Sequence, residues 1–548
     1  MTPTADEIQN QEHHGIDRRM LTFFGVLAAF FLAALDQTIV GTALPRIVGE
    51  LHGFDRYTWV TTVYLLASTA VVPVVGKISE QLGRKRVFLF GISFFLLGSA
   101  ISGAAQNMDQ LIIFRGIQGF GAGVLSGMAF AIIADLFAPA ERAKYTGLVA
   151  GMFGIASVIG PLVGGYLTDN VSWRAIFYVN LPIGAVVLAV LYFTFPSLHF
   201  QGEKARIDYL GALGLSSAAA MLTLAFSLVA LNSWSYGPVY VLIVAGILVA
   251  AATIWHESHT PAAVLPPQLF RSSIFSLSMG VTFATGLGMF GVIIYIPLLL
   301  QGIVGVRATS SGLLLLPLMA GLVVGSIGGG QVMSRTGRYK LQSLLGFTSM
   351  LFGFFMLTRL NVSATQFQVW EGIIPIGFGI GISMSVFNVI AQNAVPATMI
   401  SSSVGALQFI RQMGGVIGLA IIGSVFSQRL NEEIPRHIPA RILSSLPASA
   451  KSRLLNPEAL FSAQSDQVLK SAPPAFQHQL ATILPVIREG VKVAMATALN
   501  EVFWIGLGVT LVALVLTTFI KEIPLRKTSA MQDRAAARSD TDAHALAI

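Results

Sequence analysis

No cysteine occurs anywhere in the 548-residue chain, which excludes disulfides, thiolate metal sites and cysteine nucleophiles. Charge is the second scarcity. Asp, Glu, Lys and Arg together make up 11% of the residues, where a soluble globular protein carries about 25%. A phosphate-cradling G-x-x-x-x-G-K-[ST] loop is also missing, the one Gly-Lys pair being Gly76-Lys77, which points away from an ATP-driven pump. No zinc-spaced His pair or nucleophile elbow occurs, and the His residues lie mainly in tails and loops. The sequence therefore points away from an enzyme and calls for no metal or cofactor.

What fills the chain is apolar. Hydrophobic residues make up 54% and the mean hydropathy is +0.72. They come in long runs, and a run of about 20 apolar residues spans a bilayer. The fold class expected is an all-α polytopic membrane protein, since the alternating segments of a β-barrel are absent. Fourteen segments qualify, at approximately 20–48, 57–78, 87–106, 110–136, 144–168, 175–195, 208–231, 238–255, 273–300, 308–333, 341–358, 366–391, 400–425 and 501–520. The polar, acid-containing start, Met1 to Arg19, does not read as a signal peptide.

An even number of spans puts both termini on one side, and the positive-inside rule selects the cytosol. With that choice roughly seventeen Lys and Arg near the spans face inward and five face outward. The formal net charge of +8 is thus accounted for by loop retention, and nucleic acid is not an expected partner; the lipid bilayer is.

Gly76 to Arg86 reads GKISEQLGRKR, and Gly330 to Lys340 reads GQVMSRTGRYK. Gly76 aligns with Gly330, Gly83 with Gly337, Arg84 with Arg338 and Arg86 with Lys340. Both stretches follow the second span of a six-span half if the seventh and eighth spans are an inserted pair. Internal repeats of this kind mark secondary transporters. The domain expectation is a tail (1–19), a six-helix bundle (20–195), a linker with two extra helices (196–272), a second six-helix bundle (273–520) containing a long outer loop (426–500), and a tail (521–548). Gly76 and Gly83 are expected to allow close backbone approach between the halves. Glu80 can pair with a base, and Arg84, Arg86, Gly337 and Arg338 complete a conformational switch; the bland alternative is a plain basic loop.

These residues resemble the loop signature of the major facilitator superfamily, with Glu80 where Asp is usual and Ser334 at the equivalent place of the second copy. LDQTIVGTALP (Leu35–Pro45), LIIFRGIQGFGA (Leu111–Ala122), ASVIGPLVGG (Ala156–Gly165) and WRAIFYVNLPIG (Trp173–Gly184) resemble motifs of its fourteen-span drug:proton antiporters. Gly41 stands where Asn is common, and Ala156 where Gly is. The resemblance implies two six-helix bundles plus two inserted helices in a bacterial cytoplasmic membrane. It also implies proton-driven export of amphipathic, often cationic compounds by alternating access, with the first and fourth helices of each half lining the cavity. A small amphipathic substrate and protons are then partners, and a periplasmic adaptor is compatible. An exporter of a lipid, siderophore or metabolite on the same fold stays open, as does a non-transporting sensor.

Ionisable residues within spans are functional candidates because each costs at least about 2.5–3.5 kcal/mol at mid-bilayer. Asp36, in the first span, and Arg115, in the fourth, lie at similar depth and can meet across a cavity. Glu371 takes the place of Arg115 in the second half. Asp36 and Glu371 are candidate proton and substrate carriers, with Arg115 and Gln118 as candidate path or scaffold; a structural ion pair is the alternative. Arg411 reads as support or as partner of an anion. Asp135, Asp169 and Glu501, near span ends, read as solvated or interfacial. In the fifth span Gly147, Gly151, Gly160 and Gly164 have small-xxx-small spacing, and Pro161, beside Gly164 and Gly165, is a candidate bend or seal. Phe120, Met128, Met289, Phe290, Phe378 and Met384 are candidates for a greasy cavity lining. In the outer segment, Pro435, Pro439, Pro447, Pro457, Pro473, Pro474 and Pro485 are expected to punctuate short helices, and an apolar stretch from Leu480 can lie on the membrane or cover the mouth.

Overall fold

The computed structural model describes residues 5–51, 57–196, 208–232, 237–260, 263–304, 315–396, 399–439, 441–442 and 474–525. Among them there is no β-strand. In hydrocarbon every backbone N–H and C=O must bond within its own segment, which an α-helix does. Thirteen helices among the described residues are long and apolar enough to cross a membrane. The ninth expected place is taken by α10, Ser273–Leu299, 27 residues continued by a π turn over Leu300–Val304.

The first half comprises α1 (Ala5–Leu51), α2 (Tyr57–Leu82), α3 (Arg84–Gly103), α4 (Met108–Leu136), α5 (Pro139–Asn170), a single turn α6 (Ala175–Tyr178) and α7 (Asn180–Thr194). The inserted pair is α8 (Tyr209–Asn232) and α9 (Gly237–His259). The second half is α10, α11 (Leu316–Thr336), α12 (Lys340–Thr358), α13 (Gln366–Asn393), α14 (Ile400–His437) and α15 (Pro474–Thr518). Local chemistry sets several ends. Asn107 accepts from the Gln110 N–H at 2.9 Å and caps α4. Thr365 and Gln368 form a capping box at α13. Gly83 and Gly337 adopt φ of 94° and 67° at the corresponding turns, a region costly for residues with a Cβ.

The halves meet along two seams, α5 against α11 and α2 against α14. The inserted α8 lies over the second seam, packing on both α2 and α14; Ser216 Oγ donates to the Ala70 carbonyl at 2.8 Å. Small residues allow the approach. A Cβ on Gly147 would lie 2.3 Å from the Ser326 carbonyl oxygen of α11, and Gly151 and Gly154 continue that stripe. Gly160 and Gly164 serve a different partner, facing Thr38 and Thr42 of α1 in their own half, where Thr38 Oγ1 donates to the Ala156 carbonyl at 3.0 Å. Pro161 sits inside α5 between Gly160 and Gly164, while Gly165 has open space beside it.

The outer segment differs from expectation. α14 and α15 run 38 and 45 residues, so the helices continue past the membrane instead of breaking into short pieces. Pro435 and Pro485 lie inside them. Gly490 of α15 packs on His437 and Ile438, and Arg429 pairs with Glu501 at 2.7 Å. The stretch from Leu480 is thus part of one helix with the last span and does not lie along the membrane. Pro447, Pro457 and Pro473 fall outside the described residues.

Candidate functional site

Asp36 is completely buried. Its Oδ2 accepts from Arg115 Nη1 at 2.5 Å, and its Oδ1 accepts from Gln118 Nε2 at 2.8 Å and Asn180 Nδ2 at 3.1 Å. Arg115 Nη1 also donates to Gln118 Oε1 at 2.7 Å. Asn180 Nδ2 is shared with Ser99 Oγ, whose hydroxyl donates to the Phe177 carbonyl. The α1 carboxylate is thus bonded from α4 and α7, and α3 joins the network through Ser99. Glycines make this possible: Gly119 and Gly123 press α4 onto Tyr64 and Ser68 of α2, and Gly98 presses α3 onto the Gln118 backbone. Arg115, one turn before Gly119, is thereby placed beneath the Tyr64 ring, its guanidinium 4.0 Å from the ring centroid. A buried charge is tolerated when paired and fully hydrogen-bonded, and here Asp36 is.

A cavity of about 130 Å³ lies between the halves. Its walls come from α1 (Phe30, Ala33, Ala34, Gln37), α2 (Tyr64, Leu65, Ser68, Thr69), α4 (Ala122, Ser126, Phe130), α5 (Phe153), α10 (Met289), α13 (Met384) and α14 (Gln408, Arg411, Gln412, Val416, Leu419). The first and fourth helices of both halves contribute. Asp36 does not. Its neighbours Ala33 and Gln37 face the cavity, the carboxylate turns the other way, and Tyr64 stands between, its hydroxyl donating to the Ala33 carbonyl at 3.2 Å. In this structure, cargo in the cavity would not touch the Asp36 carboxylate, which the expectation of direct competition requires.

Glu371 also lies away from this cavity. It is exposed, one turn inside α13, and at 100° per residue it leaves the helix about 140° away from the cavity-lining Met384. Of the greasy candidates, Met289 and Met384 line the cavity. Met128 is buried in the first-half core. Phe120 lines a separate apolar groove against α8 that also includes Arg86. Phe378 packs on α11 at Gly325, and the Phe290 side chain is outside the described residues. Among the described lining residues Arg411 is the one charged group. A cationic cargo would find no acid there.

At the end of the bundle that carries the basic loops, the halves are locked together. Arg84 is fully buried. Its Nε bonds Asp135 Oδ2 at 2.9 Å, its Nη1 bonds the Gly76 carbonyl at 2.9 Å and Ser79 Oγ, and its Nη2 reaches Ser401 Oγ of the opposite half. Glu80 lies 3.6 Å from Arg84 and 3.7 Å from Lys77. A second buried arginine, Arg142, crosses to Gln392 of α13 at 2.8 Å. Gly76 allows close approach to the Ser401 carbonyl, whereas Gly83 has open space around it and serves its positive φ instead. Asp135, expected at the interface, is buried here. Glu501 is half-buried in its ion pair, and the Asp169 side chain is outside the described residues.

The second loop copy does not repeat the lock. Arg338 is exposed and joins no ion pair among the described residues. Its neighbour Tyr339 is buried instead, donating to the Lys521 carbonyl at 2.8 Å and accepting from the Ile523 N–H at 2.8 Å. Burial pushes the Tyr339 phenol above its ordinary range, which keeps that donor protonated. This loop is tied to the end of its own half.

Asn180, Tyr64, Arg142 and Gln392 were not among the candidates. Asn180 had a signal, as a carboxamide inside the apolar run from Ile176 to Thr194; the other three had none that sequence isolates.

The Major Facilitator Superfamily model matches residues 26–419. The chain is 35% identical over 530 residues to the Multidrug transporter protein MdtP of Bacillus subtilis (strain 168), covering 94% of this chain and 95% of that one. It is 31% identical to Multidrug resistance protein 3 of the same organism, covering 93% and 97%. Among solved structures, the proton:xylose symporter XylE superposes with a TM-score of 0.56 at 12% identity over 95% of this chain and 99% of that one; at that identity the likeness concerns the fold. The two B. subtilis relatives are multidrug proteins by name, and a transporter, not an enzyme, is what the matches indicate.

Proposed function

The chain belongs to the Major Facilitator Superfamily, and on that footing we propose that it is a proton-coupled exporter of amphipathic compounds. It works by alternating access in a bacterial cytoplasmic membrane, with the basic end and both termini in the cytosol. The excess of Lys and Arg on that end supports the orientation. The names of the B. subtilis relatives support efflux. The observation that carries the coupling is the Asp36–Arg115–Tyr64 arrangement, a lone carboxylate bonded to a guanidinium that underlies a wall of the cavity.

The coupling runs through that wall. A proton on Asp36 removes the charge that holds Arg115. The guanidinium then relaxes toward Gln118, and Tyr64, which lies on it, shifts the cavity face. Cargo that presses on Tyr64 acts in reverse and favours one charge state of Asp36. Proton and cargo thereby influence each other without sharing an atom, as linkage requires. On the cytosolic side the Arg84–Ser401 and Arg142–Gln392 bonds are made in this state and broken when the cavity opens inward.

Expression in a pump-deficient host tests the reading. It predicts raised tolerance to lipophilic toxic compounds and loss of that tolerance when a protonophore collapses the gradient. Tolerance that survives the protonophore would reject proton coupling, and unchanged tolerance with a change in exported lipid or metabolite would favour a dedicated exporter.

A further inference from the structure

We propose that the cavity is an acceptor site for amphipathic acids, with Arg411 binding the anionic head. This rests on the exporter reading and names its substrate class. Every described lining side chain other than Arg411 is uncharged. Arg411 is nearly completely buried. Its Nη1 donates to Gln408 Oε1, its Nε has no partner, and no carboxylate pairs with it among the described residues. The other buried arginines are provided for: Arg115 has Asp36, Arg84 has Asp135, and Arg142 has Gln392 and the Ala134 carbonyl.

A guanidinium held in apolar surroundings without a counter-charge is unfavourable, and an anion relieves it. Carboxylate, sulfonate and phosphate oxygens match its planar fork. Gln37, Ser68 and Ser126 place further hydrogen-bonding groups on the facing wall, and Phe30, Phe130, Phe153, Met289, Met384 and Leu419 offer apolar surface to the rest of the molecule. Charge at one point and apolar surface elsewhere select an amphipathic acid over a cation of the same shape.

The test compares naphthoate with naphthamide, which share shape and differ in charge, by calorimetric titration of detergent-purified full-length protein and by proteoliposome uptake under a proton gradient. Wild type is expected to bind naphthoate at least about tenfold more tightly, the size of one charged hydrogen bond. In Arg411→Gln that preference is expected to disappear while naphthamide binding persists, which also reports the fold. Arg411→Lys keeps the charge without the fork and is expected to retain part of the preference. Equal binding of the two compounds by wild type, an unchanged preference in Arg411→Gln, or no binding of either compound overturns the proposal. Gradient-driven movement of naphthamide with no acid preference would remove this inference and leave the exporter reading standing. Arg411-dependent naphthoate binding with no gradient-driven movement of either compound would do the opposite.

Discussion

Gly76 and Gly330 hold equivalent places in the two halves, and each brings the second helix of its half against the fifth helix of the other. A Cβ on Gly76 would lie 2.9 Å from the Ser401 carbonyl oxygen of α14, and one on Gly330 would lie 2.3 Å from the Ala143 carbonyl oxygen of α5. The contacts are symmetric although the arginine locks beside them are not. In this state the basic end is closed by backbone approach that only glycine permits.

Gly330→Leu is therefore expected to hold the basic end open, because the added side chain meets backbone, which cannot step aside. The absence of cysteine makes the check direct. Spin labels on exposed Lys144→Cys and Arg335→Cys should stand farther apart in Gly330→Leu than in the parent. An unchanged distance distribution would mean that Gly330 does not control closure.

Asp135→Asn should destabilise the closed state, since it leaves Arg84 buried with a weakened partner. Breaking a buried pair of this kind costs about 3–5 kcal/mol when a full charge is stranded; the Gly76, Ser79 and Ser401 bonds to Arg84 will reduce that. Arg338→Gln, at the position that matches Arg84 in the second loop copy, is expected to leave the thermal midpoint unchanged. Equal effects from the two substitutions would contradict the asymmetry.

Much of the bundle was legible because bilayer thickness dictates span length and lipid forbids unpaired backbone. The loop repeat was legible for the same reason that it works: its glycines stand at fixed places in both halves. What sequence did not disclose was direction. In GRKR, Arg84 turns inward and is buried while Arg86, two residues on, is exposed; nothing in a basic tetrapeptide separates them. Asp135 near a helix end looked solvated because span ends usually are, yet it is the partner that Arg84 requires. Asp36 and Arg115 were matched by depth alone, but Tyr64, which keeps them from the cavity, is one aromatic among many in apolar spans. Glu371 was matched to Arg115 by symmetry, yet Arg115 is buried and Glu371 is exposed: the two halves share helix positions, not side-chain orientation.

Asp36→Asn and Arg115→Gln should be strongly coupled. Either change alone strands a charge or weakens its partner in a buried site, while the double variant Asp36→Asn/Arg115→Gln leaves neutral groups able to bond to each other. The double variant is expected to melt above at least one of the single variants, with a coupling energy of about 0.5–3 kcal/mol in a double-mutant cycle. Additive losses would show that the pair does not act as a unit.

Glu371→Gln is expected to leave both gradient-driven transport and stability close to wild type, because the carboxylate is exposed and away from the cavity wall. Proteoliposome transport rates for the two proteins measure this. A loss of tenfold or more would return Glu371 to the list of coupling residues.

The central claim is that the proton acts on Asp36 and reaches cargo through Arg115 and Tyr64. Simultaneous recording of proton and substrate movement in proteoliposomes, for wild type and Asp36→Asn, tests it most directly. Wild type is expected to exchange the two, and Asp36→Asn to bind cargo and equilibrate it down its own gradient with no accompanying proton flux. Proton-coupled accumulation that survives in Asp36→Asn would contradict the account.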